Sequence, residues 1–132
     1  MMINNVNVNL LVDGKETLGT MILKKDSSCM MTLLISGEVI EESQGNDFFS
    51  CLCDLRDKVK NITFLCKGAK KNVYPSRMAR QMANGIKAYE LTLGRQAERG
   101  DLVGIFDYEV EDLVSPDEQK EYFDKWISSL GK

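Results

Sequence analysis

A chain of 132 residues, 43% hydrophobic and 28% charged with only two prolines, has the make-up of one ordinary globular domain, large enough to fold without disulfide or metal staples. It contains no histidine, which removes the commonest general acid or base near neutral pH, the Ser-His-Asp and Cys-His constellations, and most zinc sites. Its net charge of −3 conceals two opposed blocks: residues 67–99 hold eight Lys or Arg against two Glu, and residues 101–132 hold nine Asp or Glu against three Lys.

Val6, Val8, Leu10 and Val12 alternate with Asn5, Asn7, Asn9 and Leu11 at the period of a half-buried strand, and Asp13-Gly14 supplies the turn that ends it. A second strand is expected over 17–24. After the polar turn Lys25-Asp26-Ser27-Ser28, a longer third strand is expected over 29–40, completing a three-stranded antiparallel meander. Over 47–60 the period turns helical, with Phe48, Leu52, Leu55 and Val59 on one face and Asn46 placed as N-cap. Residues 62–66 read as a short strand, and 76–83 as a short helix closed by Asn84-Gly85. Residues 86–93, 102–106 and 108–114 read as further strands.

The last element has the clearest signal. Ser115-Pro116-Asp117-Glu118 sets an N-cap, a proline at the first helical position and an acid at the third, and Phe123, Trp126, Ile127 and Leu130 follow at helical spacing before Gly131. The order predicts a single α+β domain over 1–132. Its mostly antiparallel sheet has about five to seven strands, with a central helix and a C-terminal helix packed on one face.

Met1-Met2-Ile3-Asn4-Asn5 carries neither a basic n-region nor an apolar run of signal-peptide length, and no later stretch suits a membrane span, so a cytoplasmic protein without membrane contact is expected. In that compartment Cys29, Cys51, Cys53 and Cys66 are expected as free thiols, most of them packing as small hydrophobes. On the helix over 47–60, Cys53 falls opposite the apolar face and is the thiol expected to be most exposed. Cys51 and Cys53 differ by about 200° in azimuth, too far apart to share one ion. Adjacent carboxylates such as Glu111-Asp112 point in different directions, and no glycine-rich phosphate loop is present. The expectation is therefore a non-enzymatic protein with no cofactor, no metal and no catalytic residue.

Two charged faces are candidates for binding. Asp107, Glu109, Glu111 and Asp112 form an acidic face suited to a basic protein, with Glu109 and Glu111 on one side of the expected strand. Lys70, Lys71, Arg77, Arg80, Lys87 and Tyr89 form the alternative, a basic face with the residue types that grip phosphates and stack on bases. That alternative describes a small RNA- or nucleotide-binding module, although a sequence pI near 5.0 is unlike a dedicated nucleic-acid binder.

The chain's size, its histidine-free and motif-poor character, its acidic tail and the stretch from Tyr74 through Arg77, Arg80 and Lys87 to Leu91 resemble the small acidic immunity proteins of bacterial polymorphic-toxin and contact-dependent growth inhibition systems. The resemblance implies a cytoplasmic protein that neutralises one cognate toxin, often a basic nuclease domain, by covering its active site or substrate surface. Either a monomer or a homodimer paired along a strand edge is compatible with the pattern.

Overall fold

In the computed structural model, which describes residues 2–131, residues 2–45 form two hairpins in series. Strand β1 (Met2–Val12) pairs along its whole length with β2 (Lys15–Lys25), turning at Asp13-Gly14, where both residues have left-handed φ. This is the backbone geometry that matches the twist of a tight hairpin. The apolar run from Cys29 that suggested one long strand is instead two, β3 (Cys29–Ile35) and β4 (Glu38–Gly45). Ser36 at φ 53° and Gly37 at φ 80° make a second tight turn of the same kind between them. The apolar residues on both sides, Ile35 and Val39, masked it.

Helix α1 (Phe48–Lys58) follows, and β5 (Ile62–Phe64) then pairs with Leu10–Val12 at the end of β1, so the five antiparallel strands run in the order β4-β3-β2-β1-β5. The N-cap of α1 is Asp47 rather than Asn46, because the Asp47 carboxylate accepts the Ser50 N–H at 2.9 Å. Phe48, Cys51, Leu52 and Leu55 of α1 are fully buried in one core cluster with Val8, Leu10, Met21, Leu23, Met31 and Leu33 from alternate positions of the sheet.

A second sheet, β6 (Val73–Tyr74), β7 (Lys87–Glu90) and β8 (Leu102–Gly104), has its strands in chain order, and its Val73 and Ala88 belong to the same core. Between β6 and β7 lies the short helix α2 (Arg77–Met82), capped by Ser76 and closed by Asn84 and Gly85, both with left-handed φ. The α+β architecture read from the sequence is the one observed, with eight strands in two antiparallel sheets among the described residues.

Helix α3 (Pro116–Leu130) starts with the expected capping box, in which Ser115 and Glu118 bond each other's backbone N–H. It packs through rings: Phe123 stacks on Tyr74 at 4.3 Å between centroids and on Trp126 at 6.0 Å, while Tyr74 meets Phe49 of α1 edge-on at 5.3 Å. Ile127, expected on the same buried face, is 49% exposed.

Candidate protein-interaction site

The two charged blocks meet where residues 65–71 run beside residues 105–114. Residues 108–114 are not a strand, because no neighbour pairs with them continuously; they are joined to the earlier segment only by bridges from Cys66 to Tyr108 and from Lys70 to Leu113. Backbone hydrogen bonds nevertheless fix the loop from both ends. The N–H groups of Lys67, Gly68 and Lys71 donate to the carbonyls of Asp107, Ile105 and Asp112 at 2.7–2.8 Å, and those of Glu109 and Val114 donate back to Leu65 and Ala69 at 3.2 and 3.0 Å.

Glu109 sits at the centre of this seam and turns inward. Its Oε1 accepts from Lys67 Nζ at 3.0 Å and Lys70 Nζ at 2.9 Å, and its Oε2 accepts the N–H groups of Val110 and Glu111, each at 3.0 Å. Glu90 of β7 completes the cluster, accepting from Lys67 at 2.9 Å and Lys70 at 3.4 Å. The Glu111 N–H bond and the two lysines hold the Glu109 carboxyl far down, at about 2. Both lysines are pushed upward, Lys67 chiefly by its bond to Glu90 and Lys70 chiefly by its bond to Glu109.

The expected acidic face is thereby rearranged. The strand reading that put Glu109 and Glu111 on one outward side is overturned, since Glu109 is consumed internally and only Asp107, Glu111 and Asp112 are exposed. Asp107 also closes its own turn, accepting the Gly104 N–H at 2.9 Å, and Asp112 holds a left-handed φ of 55°. Between these acids the loop exposes two apolar side chains, Tyr108 at 52% and Val110 at 54%.

The alternative basic face is scattered. Lys70 is in the Glu90–Glu109 cluster, and Arg80 pairs with the buried Asp47 at 2.8 Å while lying over the rings of Phe49 and Tyr74. Lys71 sits over the Tyr122 ring, Arg77 and Lys87 are exposed, and Tyr89 is half-buried in a cleft against α3. The internal pairing of Lys67 and Lys70 with Glu90 and Glu109, and of Arg80 with Asp47, removes three cations from any continuous stripe.

A feature the sequence reading missed anchors the seam from below. Arg56 of α1 is buried with no carboxylate partner among the described residues; its guanidinium donates to Gly68 O at 3.2 Å, to Gln119 Oε1 at 2.7 Å and to Val114 O. Burial lowers its pKa. Gln119, fully buried, returns its Nε2 to the carbonyls of Gly68, Lys70 and Val73 at 2.8–3.2 Å. One arginine and one glutamine thus join α1, the 67–73 segment and α3. An isolated Arg on a helical apolar face carries no sign in sequence of the carbonyls it will meet.

All four cysteines are free, with Cys53 alone not fully buried. Burial pushes the Cys53 thiol up to about 11, although Arg56 and Arg80 pull the other way, and pushes Cys51 up to about 12. Among the described residues no three His, Cys, Asp or Glu side chains are grouped as a metal site, and no helix is long and apolar enough to cross a membrane. Compared with known families and curated sequences, the chain matches no family model and no curated protein.

Proposed function

We propose that this protein acts by binding rather than turnover, as an immunity-type inhibitor in the cytoplasm that neutralises a cognate toxin domain of basic charge. The observation that carries this reading is the 107–112 loop. It offers Tyr108 and Val110 to solvent, flanked by the exposed carboxylates of Asp107, Glu111 and Asp112, on a backbone already held by the 65–71 segment and by Glu109. An aromatic anchor ringed by polar groups is the usual centre of a strong interface. A loop that does not have to order on binding retains more of its contact energy. Acids that form no ion pair among the described residues steer a basic partner into contact and suit the surface where such a partner would hold a nucleic-acid backbone.

The test is affinity capture by the tagged protein from its native cytosol, with low-salt and then high-salt washes and both protein and nucleic acid quantified. One stoichiometric basic protein surviving the high-salt wash is the expected result. Elution of nucleic acid alone, lost as salt rises, would overturn the reading.

A further inference from the structure

A second recognition site lies on the opposite side of β7 from Glu90. There α3, Tyr74 and Tyr89 enclose a cleft of about 300 Å³, with Phe123, Trp126 and Gln96 among its walls and no charged side chain. Its shape is fixed in advance by hydrogen bonds that fasten α3 to the 91–95 segment. Tyr122 Oη donates to Leu91 O at 3.4 Å, Trp126 Nε1 to Arg95 O at 2.9 Å, and Gly94 N–H to Ser129 Oγ at 2.7 Å. These bonds consume the polar ends of Tyr122 and Trp126, and of the two rings it is that of Trp126 that lines the cleft. The hydroxyls of Tyr74 and Tyr89 and the side-chain amide of the exposed Gln96 have no hydrogen-bond partner among the described residues and reach solvent, where a ligand can meet them. Aromatic walls with uncharged, solvent-accessible donors and acceptors suit a flat, neutral ring system with a hydrogen-bonding edge.

The surroundings supply the other half of such a ligand. Arg77, Lys87 and Arg99 are exposed and form no ion pair among the described residues, whereas Arg80 and Arg95 are paired with Asp47 and Asp101. Each of the three unpaired cations lies one or two residues along the chain from a cleft-lining residue: Ser76, Tyr89 or Ala97. Lys87 and Tyr89 point to the same side of β7, because side chains two apart on a strand share a face. Neutral stacking walls beside uncompensated cations match a base joined to a phosphate.

We infer that this cleft binds a nucleotide, with the base stacked against Tyr89 and Trp126 and read by the tyrosine hydroxyls and Gln96, and the phosphate held by the neighbouring cations. The ligand is either a free mononucleotide or an unpaired nucleotide of a single strand. The inference stands independently of the proposed acidic interface, which lies at the 107–112 loop.

Calorimetric titration with AMP, GMP, CMP and UMP, with a short oligouridylate and with ribose 5-phosphate decides it, read in parallel through the chain's single tryptophan, Trp126. Saturable binding of at least one mononucleotide, with a change in Trp126 fluorescence and about tenfold weakening in Tyr89→Ala, is expected for a free-nucleotide site. Binding of the oligomer alone with the same Tyr89 dependence places the base on a strand. The milder Tyr89→Phe and the exposed-site Gln96→Ala, which leave the packing intact, are expected to weaken binding by about threefold each. No saturable binding, equal binding of ribose 5-phosphate, or binding indifferent to all three variants would overturn the inference.

Discussion

Glu109→Gln removes one charge and leaves the shape of the side chain nearly unchanged, so it isolates what the carboxylate does for the 107–112 loop. The folded-state pKa of Glu109 lies at about 2 against an ordinary 4.5, a displacement that corresponds to roughly 3 kcal/mol at 1.36 kcal/mol per unit. The lysines retain 22% and 18% of their side-chain exposure and Glu109 retains 12%, so solvent screening reduces the expected loss to about 1–2 kcal/mol. Because the folded pKa is depressed, the contribution is fully present above 4.5 and is lost as the pH falls toward about 2. Urea unfolding followed by Trp126 fluorescence is therefore expected to show the variant less stable near neutral pH, with the difference from wild type shrinking steadily below 4.5. Amide exchange is expected to quicken at Val110 and Glu111, whose N–H groups bond the Glu109 carboxylate. Equal stabilities at neutral pH, or a difference that persists undiminished near pH 3, would refute the assignment of Glu109 as the electrostatic anchor of the loop.

Gln119→Leu keeps the volume but leaves the Lys70 and Val73 carbonyls without their Gln119 donor and takes an acceptor from Arg56; a loss of about 3 kcal/mol in chemical denaturation is expected, and a nearly neutral result would mean that the buried pair does not hold α3 in place. Gly85→Ala combines a φ of 75° with a Cβ position 2.6 Å from Asp47 Oδ1 and 3.0 Å from the Phe49 backbone N, so about 2–3 kcal/mol is expected from thermal or urea unfolding. Since burial raises the Cys53 thiol to about 11, its alkylation near neutral pH is expected to be far slower than that of a free cysteine and to accelerate as pH rises; rapid labelling in the native state would contradict its placement.

The elements legible in the sequence were those whose signals are local. The Ser115–Glu118 capping box and the Phe48, Leu52 and Leu55 stripe depend on neighbours a few residues away, and both gave the helices observed. The Ser36-Gly37 turn was hidden because apolar residues flank it on both sides. The 108–114 segment alternates like a strand but finds no strand to pair with, and its conformation is set by backbone groups of residues 65–71, some forty positions away in the chain. The candidate site shows the same division. Exposure of Asp107, Glu111 and Asp112 followed from their charge, whereas the inward turn of Glu109 depends on Lys67, Lys70 and Glu90, a partnership that sequence spacing does not encode. Tyr108 and Val110 alternate with Glu109 and Glu111 in the sequence, and only the loop geometry brings them out between the acids.

The most direct measurement compares capture of the partner by wild-type protein and by the triple variant Tyr108→Ala, Glu111→Lys, Asp112→Lys, after both are shown to unfold at the same urea concentration. All three side chains are exposed, so the fold is expected to survive and the captured protein to be lost. Undiminished capture by the folded variant at physiological salt would contradict the assignment of the 107–112 loop as the binding surface.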